Sequence, residues 1–187
     1  MRKSISKQAA IVSFRSLFSE SDKGCVLIIA SILEETLRQL HEAHIAVITY
    51  PSKKNVFKDL SNAQLSTFAG MIQIANAYGL ISDEDYKDLQ LIRKLRNEAA
   101  HCIFDFNLQD SGVKAIVMQL SADERAERMF AELEKKSSNA KPALNLPKLT
   151  EARSHLILNG LALHDIIVAK LADAIERLLA KRKTVSR

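Results

Sequence analysis

Apolar residues recur at spacings of three and four along most of the chain, which is the period of an amphipathic helix. One long run of this kind extends from Asp22 to about Ala46. Its regularly spaced apolar positions are Val26, Ile29, Leu33, Leu37 and Leu40. Additional apolar side chains widen this stripe, so we predict a central helix that is buried on more than one side.

Other segments with the same period predict the remaining helices. They lie at about 5–18, 66–78, 82–101, 111–120, 123–135 and 149–183, with one further turn at 55–63. Gly79 has the position of a C′ glycine, and Ser82 that of an N-cap. The Ser-, Asn- and Pro-containing stretch 137–148 reads as a linker-like loop before the C-terminal helix.

No hairpin signal interrupts this helical pattern. The sequence therefore predicts an all-α fold, an irregular bundle of six or seven helices with long second and C-terminal helices. The length of 187 residues suits a single domain over 1–187.

Composition narrows the class of protein. No run approaches about 18 uninterrupted apolar residues, so we expect no membrane span. Cys25 and Cys102 both fall in helical patterns and are expected to be buried free thiols, as in a reducing cytoplasm. The net charge of +5 permits contact with nucleic acid or an acidic protein without requiring either.

Familiar catalytic and cofactor motifs are absent from the sequence. Neither glycine-rich phosphate loop occurs, and no cofactor is expected. His41 and His44 are spaced i, i+3, but no thiol or carboxylate partner is evident, so we expect no metal site. A helix-turn-helix centred on Gly79 would begin its second helix with Asp83-Glu84-Asp85, which would repel phosphate.

The end of the predicted helix at 82–101 is the most informative segment. Arg93, Asn97 and His101 share one helix face, and Arg96 lies about 100° from Asn97. One interpretation is structural, since cations stabilise a helix C-terminus and Asn and His can bind its carbonyls. The other is a binding site for phosphate, with Arg96 as anion ligand and His101 as general acid or base.

Four stretches together resemble the mannitol-operon-repressor (MtlR) family. They are Leu65–Ile72, Ala77–Ile81, Asp85–Leu89 and Ile92–His101, and the long helix containing Gly24–Leu40 fits the same pattern. This resemblance covers roughly residues 20–180. It implies an all-helical bacterial regulator of transcription that lacks a recognisable DNA-binding motif. We therefore expect a non-enzymatic, repressor-like protein that acts through protein contacts.

Two alternatives stay open. Arg96-x-x-x-x-His101, with Asn97 after the arginine, also resembles the pattern of HEPN helical domains, many of which are metal-independent ribonucleases. That resemblance would make Arg96 and His101 catalytic and Asn97 a supporting residue. Direct DNA binding would instead need a basic helical face, for which the candidates are Lys170, Arg177, Lys181, Arg182 and Lys183. We also expect a homodimer, because the two long helices present much apolar surface.

Overall fold

A computed structural model describes residue 17 and the ranges 19–50, 67–121 and 149–185. All regular structure in these residues is helical, which confirms the predicted all-α class. In chain order the helices are α1 (Asp22–Thr49), α2 (Phe68–Ala77), α3 (Asp83–His101), α4 (Ser111–Val117) and α5 (Glu151–Val185).

The two long helices are confirmed, as α1 and α5. The predicted count of six or seven helices is not matched, because the described residues contain five. The segments predicted as helices or turns at 5–18 (apart from residue 17), 55–63 and 123–135, and the linker at 137–148, lie outside the described residues. Helix α4 ends at Val117 instead of about residue 120, since the amides of Gln119 and Leu120 bond three residues back, as in a turn.

Local capping chemistry fixes the connection between α2 and α3. Gly79 has φ +65°, the left-handed conformation expected of a C′ glycine. The Ser82 hydroxyl accepts from the amide of Asp85 at 3.1 Å, and the Asp85 carboxylate accepts from the amide of Ser82 at 3.0 Å. This reciprocal pair is a capping box with aspartate in the third position, so the predicted N-cap is confirmed.

The described residues divide into two compact units. The first comprises those within Met1–Ile32 and Leu91–Ala162, and the second those within Leu33–Gln90 and Leu163–Arg187. Helices α1, α3 and α5 each contribute residues to both units. The single domain over 1–187 stays a prediction.

The core of the first unit is aliphatic and is crossed by one polar network. Its fully buried side chains include Leu17, Val26, Ile29, Leu95, Leu108 and Leu156. The guanidinium of Arg153 donates to the Asp22 carboxylate at 3.1 Å and to the carbonyls of Leu17 and Glu20. The two terminal nitrogens of this largely buried cation are thereby paired with one acid and two backbone oxygens, whereas its buried Nε has no hydrogen-bond partner.

The second unit also combines an aliphatic core with buried polar contacts. Its core includes Leu33, Leu37, Leu40, Met71, Ile72, Leu89, Leu163 and Ile167. The ring of His41 is buried and its Nε2 lies 2.9 Å from the carbonyl oxygen of Met71. Burial lowers the pKa of His41 from its usual 6.5. This histidine therefore has a structural partner in the backbone of α2.

The two cysteines differ in their surroundings. Both are free thiols, as predicted. Cys25 is fully buried, and loss of hydration raises the pKa of its thiol to about 11. The expectation that Cys102 is also buried is wrong: it is half-buried, because it follows the last residue of α3 and faces the surface loop.

Helix α5 is long enough to cross a membrane by length and composition, over Glu151–Thr184. Half of its most apolar window is buried within the protein. A core helix meets the same criterion, and Leu156, Leu163 and Ile167 are fully buried core residues. The criterion by itself is weak support for a membrane span.

Candidate functional site

The predicted site residues all lie in the last three turns of α3. Arg93 and Asn97 are half-buried, whereas Arg96 and His101 are exposed. Arg93 has an interaction partner. In the described part of the chain, the side chains of Arg96, Asn97 and His101 form no hydrogen bond or ion pair. The structural interpretation, in which Asn97 and His101 bind helix carbonyls, therefore gains no support from the contacts.

Helix geometry separates the two residues of the proposed catalytic pair. Arg93, Asn97 and His101 follow each other at steps of about 40° around the axis. Arg96 and His101 lie about 140° apart and about 7.5 Å apart along the axis. Within one chain, the guanidinium and the imidazole therefore leave the helix on different sides.

The loop after α3 is fixed at both ends by the first turn of α1. The ammonium of Lys23 donates to the carbonyl of Cys102 at 2.9 Å. The Asp22 carboxylate accepts from the amide of Leu108 at 2.9 Å, and the Leu108 side chain is fully buried. These two contacts hold residues 102–108 against the first turn of α1.

Two large apolar side chains on this fixed loop point to solvent. Ile103 is 93% exposed and Phe104 is 85% exposed. The Cys102 thiol donates to the carbonyl of Phe104 at 3.2 Å, which favours a tight local turn. The sequence pattern does not single out either residue, because apolar residues in a helical protein are normally assigned to the core.

We use the term 93–104 surface for the candidate side chains in the last turns of α3 together with the two exposed apolar side chains of the loop that follows it. It consists of Arg93, Arg96, Asn97, His101, Ile103 and Phe104. Exposed aromatic side chains and arginines are the residue types enriched at protein interfaces. The arrangement is suited to contact with another macromolecule.

The basic residues proposed as a DNA-binding face of α5 do not form one face. Taken around the helix axis, Arg177 and Lys181 lie within about 20° of Lys170. Arg182 and Lys183 lie about 120° and 140° away from Lys170, in opposite directions. Lys181 also donates to the carbonyl of Val47 at 2.7 Å, so its charge is partly engaged.

Among residue 17 and the ranges 19–50, 67–121 and 149–185, no group of three or more His, Cys, Asp or Glu could hold a metal ion. His41 contacts a backbone carbonyl, and the ring of His44 lies 6.2 Å from that of Tyr78.

Comparison with known proteins gives one structural similarity. No protein-family model and no curated protein matches the chain. The chain is similar to the X-ray structure of the MtlR–HPr complex from Escherichia coli, with 14% sequence identity and a TM-score of 0.49. The alignment covers 90% of this chain and 96% of that one. The chain thus resembles MtlR, but at this identity and TM-score the similarity assigns neither an activity nor a partner.

Proposed function

We propose that this chain is a non-enzymatic regulator of transcription that acts by binding a protein partner through the 93–104 surface. The observation that carries the proposal is the exposure of Ile103 and Phe104, 93% and 85%, in the loop directly after the last turns of α3, where Arg96 and His101 are also exposed. The regulatory role comes from the sequence resemblance to the mannitol-operon-repressor family.

The physical argument for a partner starts from the cost of exposed apolar area. Burying a Phe and an Ile side chain is worth roughly 1.5–3 kcal/mol each. The loop that carries them is tied to α1 through Lys23 and Asp22, so little freedom is lost when a partner covers it. Arg96 and His101 would then pair with acidic or carbonyl groups at the rim of the contact.

The same geometry disfavours catalysis by a single chain. A general acid or base must reach the same reacting group as the residue that stabilises its charge. Arg96 and His101 leave α3 about 140° apart, so one α3 does not direct both at one phosphate. A ribonuclease would need a second copy to complete the site, as the HEPN resemblance implies.

The ribonuclease alternative is retained because Arg96 and His101 are both exposed and without a described partner. Direct DNA binding through α5 is less favoured because the basic side chains of α5 point in different directions around the helix axis and do not form one basic face. The expected homodimer stays a prediction.

The direct test is a binding titration. HPr is the first probe, since the similar solved structure is a complex with that protein. We expect calorimetric binding that weakens by about tenfold or more in Phe104→Ala, the size typical of an aromatic hot spot. Met118→Ala is the matched control, because Met118 is an exposed apolar residue of the same unit, at 39%. Binding that is equal in wild type and Phe104→Ala would move the contact away from this surface.

An RNA-cleavage assay in EDTA separates the two leading alternatives. A protein-binding regulator should give no cleavage above background. Metal-independent cleavage that disappears in both Arg96→Ala and His101→Ala would overturn the non-enzymatic proposal and favour the ribonuclease. If neither HPr binding nor RNA cleavage is detected, HPr is not the partner.

A further inference from the structure

The second unit contains a cleft that the proposed function does not use. Its volume is about 250 Å³. One wall is a stripe of α5 and the other is a stripe of α1, and the turn after α2 closes it. The lining residues are Leu40, His44, Val47, Tyr78, Gly79, Leu80, Lys170, Asp173, Ala174 and Arg177.

Helical spacing explains why these side chains meet. Lys170, Asp173, Ala174 and Arg177 follow the i, i+3, i+4, i+7 pattern, so α5 presents them as one stripe. Leu40, His44 and Val47 follow the same rule on α1. Ala174 and Gly79 are small, and a Cβ added at Gly79 would meet no atom within 4 Å. The small residues keep the space between the walls open.

The charged groups of the cleft are available to a ligand. Lys170, Asp173 and Arg177 form no ion pair with any described residue, although the spacing along α5 would allow one. The two cations and one carboxylate give the lining of the cleft a net positive charge. Lys181, which lies on the same side of α5, is instead engaged at the carbonyl of Val47.

We propose that this cleft binds a small molecule bearing a phosphate group. The Arg177 guanidinium offers parallel N–H donors that match phosphate oxygens, and Lys170 adds a second cation two turns, about 10.5 Å, away along the same stripe. Asp173 is placed between them to accept from a hydroxyl of the ligand. The Tyr78 ring, Val47 and Leu80 provide an apolar wall for its carbon skeleton. The volume lies just below the roughly 300–1,000 Å³ of typical small-molecule sites, which restricts the ligand to a compact one.

The proposal is independent of the 93–104 surface. All ten lining residues belong to the second unit, whereas the 93–104 surface belongs to the first. Failure of partner binding would leave it intact, and its own failure would leave the partner proposal intact.

The test is a calorimetric titration of the full chain with glycerol 3-phosphate and, separately, with inorganic phosphate. Glycerol and sodium chloride at matched ionic strength are the ligand controls. We expect saturable binding of glycerol 3-phosphate, and a dissociation constant raised about tenfold or more in Arg177→Gln and in Lys170→Gln. Lys183→Gln, an exposed residue directed away from the cleft, should change it less than about twofold.

Each outcome of these titrations either supports or contradicts the proposed phosphate-ester site. If glycerol 3-phosphate binds more tightly than inorganic phosphate, and only the two cleft variants weaken its binding, the result supports a phosphate ester as the ligand. If inorganic phosphate binds equally well, the site recognises only the free ion, which would contradict the proposal of a phosphate ester. No saturable binding at millimolar ligand, or equal loss in Lys183→Gln, would overturn the proposal. Circular dichroism of each variant checks that the fold is retained.

Discussion

Asp22 connects the stability of the first unit to the position of the loop at 102–108. Its carboxylate accepts from the Leu108 amide at 2.9 Å and from the Arg153 guanidinium at 3.1 Å, and it lies in the first turn of α1. The side chains of Asp22 and Arg153 are only 20% and 13% exposed. Replacing Asp22 should therefore destabilise the fold and release the loop together.

The magnitude for Asp22→Asn follows from these contacts. A hydrogen bond to a charged group contributes roughly 1.5–3 kcal/mol, and an acid in the first turn of a helix adds roughly 0.3–1 kcal/mol. Arg153 keeps its two carbonyl acceptors, so the full cost of an unpaired buried charge does not apply. We expect a loss of about 2–3 kcal/mol in the free energy of unfolding, or roughly 4–12 °C in Tm for a protein of this size.

Urea unfolding monitored by far-UV circular dichroism measures this loss. Glu151→Gln is the control, because its ion pair with Lys114 is exposed, so it should shift the urea midpoint much less than Asp22→Asn although Glu151 also lies in the first turn of a helix. Amide hydrogen exchange in Asp22→Ala provides the local measurement, since the Leu108 amide loses its acceptor and should exchange faster. An unchanged midpoint in Asp22→Asn, or unchanged Leu108 exchange in Asp22→Ala, would refute the reasoning.

Two further predictions concern the buried contacts of each unit. Because burial lowers the pKa of His41 from 6.5, the unfolded chain binds a proton that the folded chain does not, so stability should fall as pH drops below about 6.5. The free energy of unfolding should depend less on pH in His41→Gln than in the wild type. In His44→Gln this pH dependence should be retained. A Cβ at Gly160 would lie 2.8 Å from Cγ2 of Ile29, so overpacking of roughly 1–3 kcal/mol should outweigh the roughly 1 kcal/mol helix gain of Gly160→Ala. The same substitution should become stabilising in an Ile29→Ala background and not in Ile29→Val, which keeps Cγ2, and a double-mutant cycle of unfolding free energies checks this.

Local chemistry made the helices between residues 67 and 101 predictable from the sequence. The positive φ of Gly79 and the cap at Ser82 each depend on residues only a few positions apart. Periodicity likewise identified α1 and α5, whose apolar stripes are long. The end of α4 was harder to place because residues 118–120 continue its apolar pattern, and only their hydrogen bonds show a turn.

Contacts between distant parts of the chain were not predictable in this way. Arg153 and Asp22 are 131 residues apart, and His41 and Met71 are 30 residues apart. No periodicity connects such pairs. The cleft likewise depends on stripes of α1 and α5 that meet only in the folded chain. The sequence identified Arg96, Asn97 and His101 as candidates but did not indicate that Ile103 and Phe104 would be exposed in the loop that follows.

The anchored loop gives a physical reason to regard the 93–104 surface as a contact surface. A loop free to move could turn Ile103 and Phe104 toward the protein and reduce their exposure. The bonds from Lys23 and Asp22 oppose that movement, so the exposed arrangement is held in place before a partner arrives. Preorganisation of this kind lowers the entropy lost on binding. It follows that Asp22→Ala should weaken partner binding although Asp22 is not part of the surface. Lys114→Gln, a change at an exposed ion pair of the same unit, should leave that binding unaltered.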